Sequence, residues 1–379
     1  MNKQEISKLR EELTKKRGEI YTDQLTMSVG ELINLYRDNE IELEPAFQRL
    51  FRWSEAQETN FIESILLGYP IPPIFILQRD DGIWDVIDGV QRLSTIYHFV
   101  GILKPTKDGK KKTPLRLESA EILTNLEGKY YSEDQGTSYL DSATRIDFKR
   151  SAISILILKA GSDPKSKFEL FKRLNTGGTH LSDQEMRNSM ILMYNDEIYN
   201  AMEEFSKRES FKTMINIPES YSKERMDMDI LTRFLIMRNY KNIEDVPNTT
   251  DINVFLDKAI ESIITEDDFY IHKELDVLDK LIKFLSINLQ EDYGFRIYDH
   301  KKGQFVQSFN WFVFEVLIWG CAVLNDVESL NNDSSFYLDR IKTLQSVGEY
   351  KKKIGKSNIR AIERFKLAKK EAKGIFSND

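Results

Sequence analysis

The chain has 379 residues, with 30% charged and 41% hydrophobic side chains, which is enough for two domains with a substantial core and excludes a disordered chain. Its formal net charge of −7 excludes a global attraction to nucleic acid, so any phosphate-binding surface has to be local. Cys321 is the only cysteine and His98, His180, His272 and His300 are scattered, which excludes an internal disulfide and any zinc site of ordinary ligand spacing.

From Met1 to Arg17 acidic and basic side chains alternate at helical spacing and predict a solvated helix. This start lacks the apolar core of a signal peptide, and no apolar run is long enough to span a bilayer, so the expected location is the cytoplasm. Ser28, with Glu31 in the capping-box position, opens a short amphipathic helix. Ile41 to Glu44 alternates as a strand and stops at Pro45. Phe47-Gln48-Arg49-Leu50-Phe51-Arg52-Trp53 follows, and Ser54 is placed to cap a helix from Glu55 to Leu67 whose inward face carries Phe61, Ile62, Ile65 and Leu66.

Pro70, Pro72 and Pro73 forbid helix and feed a strand, Ile74 to Leu77. Asp80-Asp81-Gly82 reads as a hairpin turn, and Trp84 to Ile87 returns as the partner strand, delivering Asp88 to the end of a sheet. At Asp88-Gly89-Val90-Gln91-Arg92 the strand bends tightly into a helix expected from Arg92 to Gly101. Glycine there lets the backbone approach a ligand, the first N–H groups of the helix attract anions, and a guanidinium fork suits phosphate oxygens. A structural turn with a surface arginine is the alternative reading.

The basic stretch Lys104 to Lys112 reads as a solvated loop, with a phosphate contact as the alternative. Ala152 to Leu158 is a buried strand. A helix from Lys167 to Leu174 breaks at Asn175-Thr176-Gly177-Gly178, a polar connection able to cradle an anion, and Ser182 with Glu185 opens the next helix. From Met190 onward the segments are helical: Met190 to Phe205, Asp227 to Asn239, Ile252 to Thr265, Phe269 to Asn288, Phe309 to Leu324, Ser334 to Gln345 and Ser357 to Ala372. The last presents a basic outer face, either a plain surface or a nucleic-acid contact. Cys321 falls in an apolar stretch and is expected to be buried.

Three stretches in order carry a resemblance: Phe47-Gln48-Arg49 with Trp53 and the Ile62 to Pro73 segment; Asp88-Gly89-Val90-Gln91-Arg92-Leu93; and Phe171 through Leu174-Asn175-Thr176-Gly177-Gly178 to Leu181-Ser182, Glu185 and Arg187-Asn188. From Met27 to Asn188 the chain resembles the GmrS-type domain at the N-terminus of modification-dependent restriction endonucleases, a domain related to the ParB/sulfiredoxin-like fold. The resemblance implies a ParB/sulfiredoxin-like mixed α/β domain over 27–188; with the helical extension over 1–26 and the all-α domain over 189–379 read from the patterning, the expected class is α+β.

It further implies a nucleotide-binding, NTP-hydrolysing regulator or sensor in DNA restriction or phage defence, with an NTP and Mg²⁺ as cofactor. Asp88, Gln91 and Arg92 map onto catalytic positions, Asp88 also onto the metal, and Gln48, Arg49, Gly89, Gln91, Arg92, Asn175, Thr176, Glu185 and Arg187 onto phosphate contacts. The usual loop is D-G-Q-Q-R, and Val90 departs from it. Fused relatives carry a His-Asn-His nuclease whose residues are not found here, so cleavage is expected from a protein partner; DNA and a second copy of the chain are further candidate partners. Two other functions stay open, a non-catalytic DNA-binding or adaptor module that contacts phosphate through the same loop, and a DNA-nicking nuclease.

Overall fold

The structure is a computed structural model that describes residues 9–14, 21–43, 53–104, 113–159, 161–175, 182–218, 221, 224–288, 295–306, 309–327, 339–340, 342 and 360–376. The chain divides into two units, Met1–His180 and Leu181–Asp379.

The first unit is mixed α/β. Its sheet holds β1 (Thr22–Ser28), β2 (Ile41–Glu42), β3 (Ile74–Gln78), β4 (Trp84–Asp88) and β5 (Ala152–Leu158) in the order β1-β5-β3-β4-β2. β1 runs antiparallel to β5, β5 parallel to β3, β3 antiparallel to β4, and β4 parallel to β2. The strands expected around Ile74, Trp84 and Ala152 are all present. β1 was not expected, because Thr22-Asp23-Gln24-Leu25-Thr26-Met27-Ser28 has only Leu25 and Met27 as apolar residues. Pairing along the whole of β5, from Thr22 opposite Leu158 to Ser28 opposite Ala152, imposes the extended form on it.

Four helices join the sheet in chain order: α1 (Val29–Arg37), α2 (Glu55–Leu66), α3 (Val90–Val100) and α4 (Ser142–Arg150); α5 (Pro164–Asn175) follows β5. Leu32, Ile62, Leu93 and Ile96 from the helices meet Ile74, Ile76, Val86, Ile153 and Ile155 from the strands in one core. The caps read from the sequence are in place. Ser28 Oγ accepts the Glu31 N–H at 3.1 Å; Ser54 Oγ accepts the Gln57 N–H at 3.3 Å while Gln57 Oε1 accepts the Ser54 N–H at 3.0 Å. Removing such a cap costs about 1 kcal/mol, so Ser54→Ala should lower the urea midpoint of the first unit without changing its denaturant slope.

Two polar links tie helix to helix and strand to strand. His98 on α3 donates from Nε2 to the Thr113 carbonyl at 2.8 Å and places Nδ1 3.1 Å from both carboxylate oxygens of buried Glu58 on α2, so this histidine is a satisfied core residue. Arg79, just past β3, donates to both oxygens of Asp85 at 2.7 and 2.6 Å and to Glu42 at 2.7 Å. Desolvation pushes the Asp85 carboxyl above its ordinary value, against the pull of the Arg79 guanidinium.

The second unit is helical: α6 (Asp183–Tyr194), α7 (Asp196–Ser206), α8 (Glu209–Ile215), α9 (Met226–Asn239), α10 (Ile252–Ile264), α11 (Ile271–Asn288), α12 (Trp311–Ile318) and α13 (Ala361–Phe376). The single helix expected from Met190 to Phe205 is two, because Asn195 is extended (φ −159°) and its side chain caps α7. A short hairpin, β6 (Ile297–Asp299) with β7 (Gln304–Val306), stands before α12. Beyond α12 the chain widens into a π-helical turn at Trp319–Val323. Cys321 sits there fully buried, its thiol pushed up to about 12 by burial.

A run of alternating charges threads this unit. Arg187 on α6 reaches Asp257 on α10 at 2.9 Å and Asp229 on α9 at 3.8 Å. Asp229 meets Arg233 at 3.1 Å, Arg233 approaches Glu315 on α12 at 3.7 Å, and Arg364 on α13 clasps both oxygens of Glu315 at 3.0 and 2.8 Å. The basic face of α13 is therefore partly turned inward: Lys366 also donates to the Glu244 and Val246 carbonyls at 2.9 and 2.6 Å, and Lys369 lies over the Trp319 ring. No helix among the described residues is long and apolar enough to cross a membrane.

Candidate functional site

Asp88 ends β4 and Gly89 makes the bend, at φ 100° and ψ 10°. This left-handed conformation costs an L side chain energy, and a Cβ at Gly89 would also lie 2.9 Å from Ile74 Cγ1. α3 begins at Val90, two residues earlier than the sequence indicated, because Val90 turns its side chain into the core. The departure from the family's loop thus falls on a side chain facing the interior. Gly89, the N-cap of α3, has no side chain with which to cap it.

Arg92 folds back over the bend. Its Nη2 donates to Asp88 Oδ2 at 2.7 Å, and its Nη1 donates to the carbonyls of Pro72 and of Pro73, the latter at 3.1 Å. The proline segment before β3 acquires a purpose from this: it holds two carbonyls outside the sheet ladder, where they fix the guanidinium. The Arg92 side chain is only 12% exposed. Burial draws its guanidinium below the ordinary arginine value, with the Asp88 carboxylate acting in the opposite sense. Gln91 points elsewhere, its Oε1 accepting the Trp53 N–H at 3.2 Å, which ties the start of α3 to the residue that follows the Phe47 to Arg52 segment.

Asp88, Gly89, Gln91 and Arg92 are thus brought together at one sheet-to-helix turn. Gln48, Arg49 and Thr176 lie outside the described residues, as does the side chain of Asn175, which is the last residue of α5. Glu185 and Arg187 belong to the second unit. Glu185 accepts the Ser182 N–H and hydroxyl, both at 2.9 Å, and is the capping-box partner the sequence indicated. Arg187 is 1% exposed and its guanidinium is engaged by Asp257, Asn253 at 3.3 Å and Gln184. Both therefore have structural work inside the helical unit.

The roles of Pro72, Pro73 and Trp53 were not anticipated. Each acts through a backbone group, and a sequence shows side chains. No cluster of three or more His, Cys, Asp or Glu side chains able to hold a metal occurs among the described residues. Asp88 is a lone carboxylate, half-exposed, with one oxygen already on Arg92.

The chain matches the family model of the GmrSD restriction endonuclease, N-terminal domain, over residues 29–192. That span begins at the first residue of α1 and contains the whole of the Asp88 to Arg92 turn. No curated protein and no solved structure gives a significant match. Residues 29–192 of this chain belong to the GmrSD N-terminal domain family, which implies a role in restriction or phage defence.

Proposed function

We propose that the first unit binds a nucleoside triphosphate through the turn at Asp88 to Arg92 and hydrolyses it as the regulatory or sensing step of a restriction system. The observation that carries this is the state of Arg92, a side chain only 12% exposed, its guanidinium fixed by one carboxylate and two carbonyls at a helix start whose N-cap is a glycine. A desolvated cation backed by helix N–H groups favours an anion far more than either would in water.

Phosphoryl transfer asks chiefly for positioning and charge stabilisation. Arg92 supplies the charge on the transferring phosphoryl group, and Gly89 lets the phosphate chain lie against the backbone. Asp88 holds the guanidinium in register. Its other oxygen is one carboxylate ligand of the kind Mg²⁺ takes when phosphates and water fill the remaining positions. That fits the donor set, and the metal, when bound, would neutralise phosphate charge. Gln48, Arg49, Asn175 and Thr176 are proposed as further phosphate contacts on the family resemblance alone. Scission of DNA is assigned to a partner protein.

The test is a thermal-shift titration of the full chain with ATP, GTP, CTP and UTP, with and without Mg²⁺, since a ligand bound only by the native state raises the melting point. The wild-type protein should shift with at least one of them, whereas Arg92→Ala should keep its circular dichroism spectrum and lose the shift. Arg92→Lys, which keeps the charge without the fork, should retain part of it. No response of the wild-type protein to any nucleotide would sink the proposal.

A further inference from the structure

α1 and α4 pack side by side at the far side of the first unit, and between them lies a hollow of about 410 Å³ lined by Ser28, Gly30, Glu31, Ile33, Asn34, Arg37, Val100, Tyr131 and Lys149. Gly30 permits the close approach, since a Cβ there would stand 3.3 Å from the Lys149 carbonyl. Val100 is the last residue of α3 and Gly89 immediately precedes its first; at a rise of ~1.5 Å per residue the hollow is roughly 15 Å from the Gly89 bend, and it is a separate place.

Its charge is unusual for this acidic chain. Arg37 stands on one wall and Lys149 on the other, with Arg145 one turn earlier on the same face of α4. None of these three side chains makes an ion pair or hydrogen bond with another side chain among the described residues. Glu31 is the single acid in the lining. Tyr131 also lines the hollow, its ring set edge-on to Phe99 at 5.6 Å and tilted against Phe148 at 6.0 Å. Burial raises the Tyr131 hydroxyl, and the positive charges of Arg145 and Arg37 oppose that rise.

Two unpaired cations on the walls of a concavity that a tyrosine also lines, with a third cation one helical turn away, are suited to an anion with several acceptor oxygens. We propose that this hollow is a second binding site, for a phosphate group carried either on a nucleic-acid strand or on a small phosphate compound. Arg37 and Lys149 hold the charge, Arg145 adds long-range attraction, and the Tyr131 hydroxyl donates to a phosphate oxygen. The local positive field also explains how a chain of net negative charge would approach a polyanion, through this face and not through its surface at large.

The experiment compares the wild-type chain with the double variant Arg37→Glu/Lys149→Glu and with Arg145→Ala. Two probes are used, a short fluorescein-labelled DNA duplex followed by anisotropy at several salt concentrations, and inorganic pyrophosphate followed by calorimetry. The double variant should bind at least one probe roughly tenfold more weakly, and for the duplex should reduce the salt slope by about two, one contact per lost cation; Arg145→Ala should lose less. Loss for the duplex alone identifies a nucleic-acid strand as the source of the phosphate, and loss for pyrophosphate alone a small compound. Pyrophosphate also suits the Arg92 turn of the proposed function, so each comparison is repeated in an Arg92→Ala background, where the double variant should weaken binding by the same factor; this site and the nucleotide reading then stand or fall separately. If the double variant, folded by circular dichroism, binds both probes as tightly as wild type, or if wild type binds neither, the inference is overturned.

Discussion

Glu315→Ala is expected to destabilise the second unit by about 3–5 kcal/mol, the cost of breaking a buried ion pair from one side. The side chain of Glu315 is fully buried, receives both arms of the Arg364 fork and stands 3.7 Å from Arg233. Removing it strips the Arg364 fork of its carboxylate and leaves the largely buried Arg233 guanidinium with Asp229 alone. Hydrogen exchange resolved to α9 and α12 reads the effect directly, because their slowest amides report the opening free energy of the unit. The double variant Glu315→Leu/Arg364→Leu takes away one charge of each sign and should be less damaged than Glu315→Ala. A loss below 1 kcal/mol in the single variant would mean that the pair behaves as a surface contact.

Gly89→Ala should cost about 2–4 kcal/mol, combining left-handed strain with overpacking. The φ of 100° supplies the strain, and the new methyl meets Ile74 Cγ1 at 2.9 Å and Arg92 Nη2 at 3.2 Å. Gly82 provides the control. It also has positive φ, at 89°, but a Cβ there meets nothing within 4 Å, so Gly82→Ala should cost only about 1 kcal/mol. The difference between the two melting temperatures isolates the contact with Ile74 and Arg92. Under the proposed function Gly89→Ala should also abolish the nucleotide-induced thermal shift while Gly82→Ala retains it. Equal losses in the two variants would show that the bend needs glycine for its backbone angle alone.

Local chemistry was legible in the sequence wherever a side chain acts on its own neighbourhood. The caps at Ser28, Ser54 and Ser182 need only a hydroxyl and the N–H three residues on, and all three form. The strands at Ile74, Trp84 and Ala152 announced themselves by composition, and the bend at Gly89 by the strand before it and the helical spacing after it. What the sequence concealed depends on distant partners. β1 is a strand only because β5 lies beside it. The turn cations divide the same way: that Arg92 would sit at the mouth of α3 was readable, but its anchorage on Pro72 and Pro73 joins segments 19 and 20 residues apart through backbone oxygens. Arg187 looked like a site residue because it follows the Asn-Thr-Gly segment. Its commitment to Asp257, 70 residues on, has no local signature, and neither does the burial of Glu58 against His98.

The two outer strands of the sheet have a consequence for the protein at high concentration. β2 is two residues long, and β1 carries five polar residues, Thr22, Asp23, Gln24, Thr26 and Ser28, beside Leu25 and Met27, with Asp23 bridged to Lys159 at 2.5 Å. A margin so short on one side and so hydrophilic on the other makes a poor template for the backbone of a second chain. The sheet should therefore resist fibril growth through its rims, and concentrated samples should stay free of thioflavin-positive material even when the helices covering the sheet are loosened by mild denaturant.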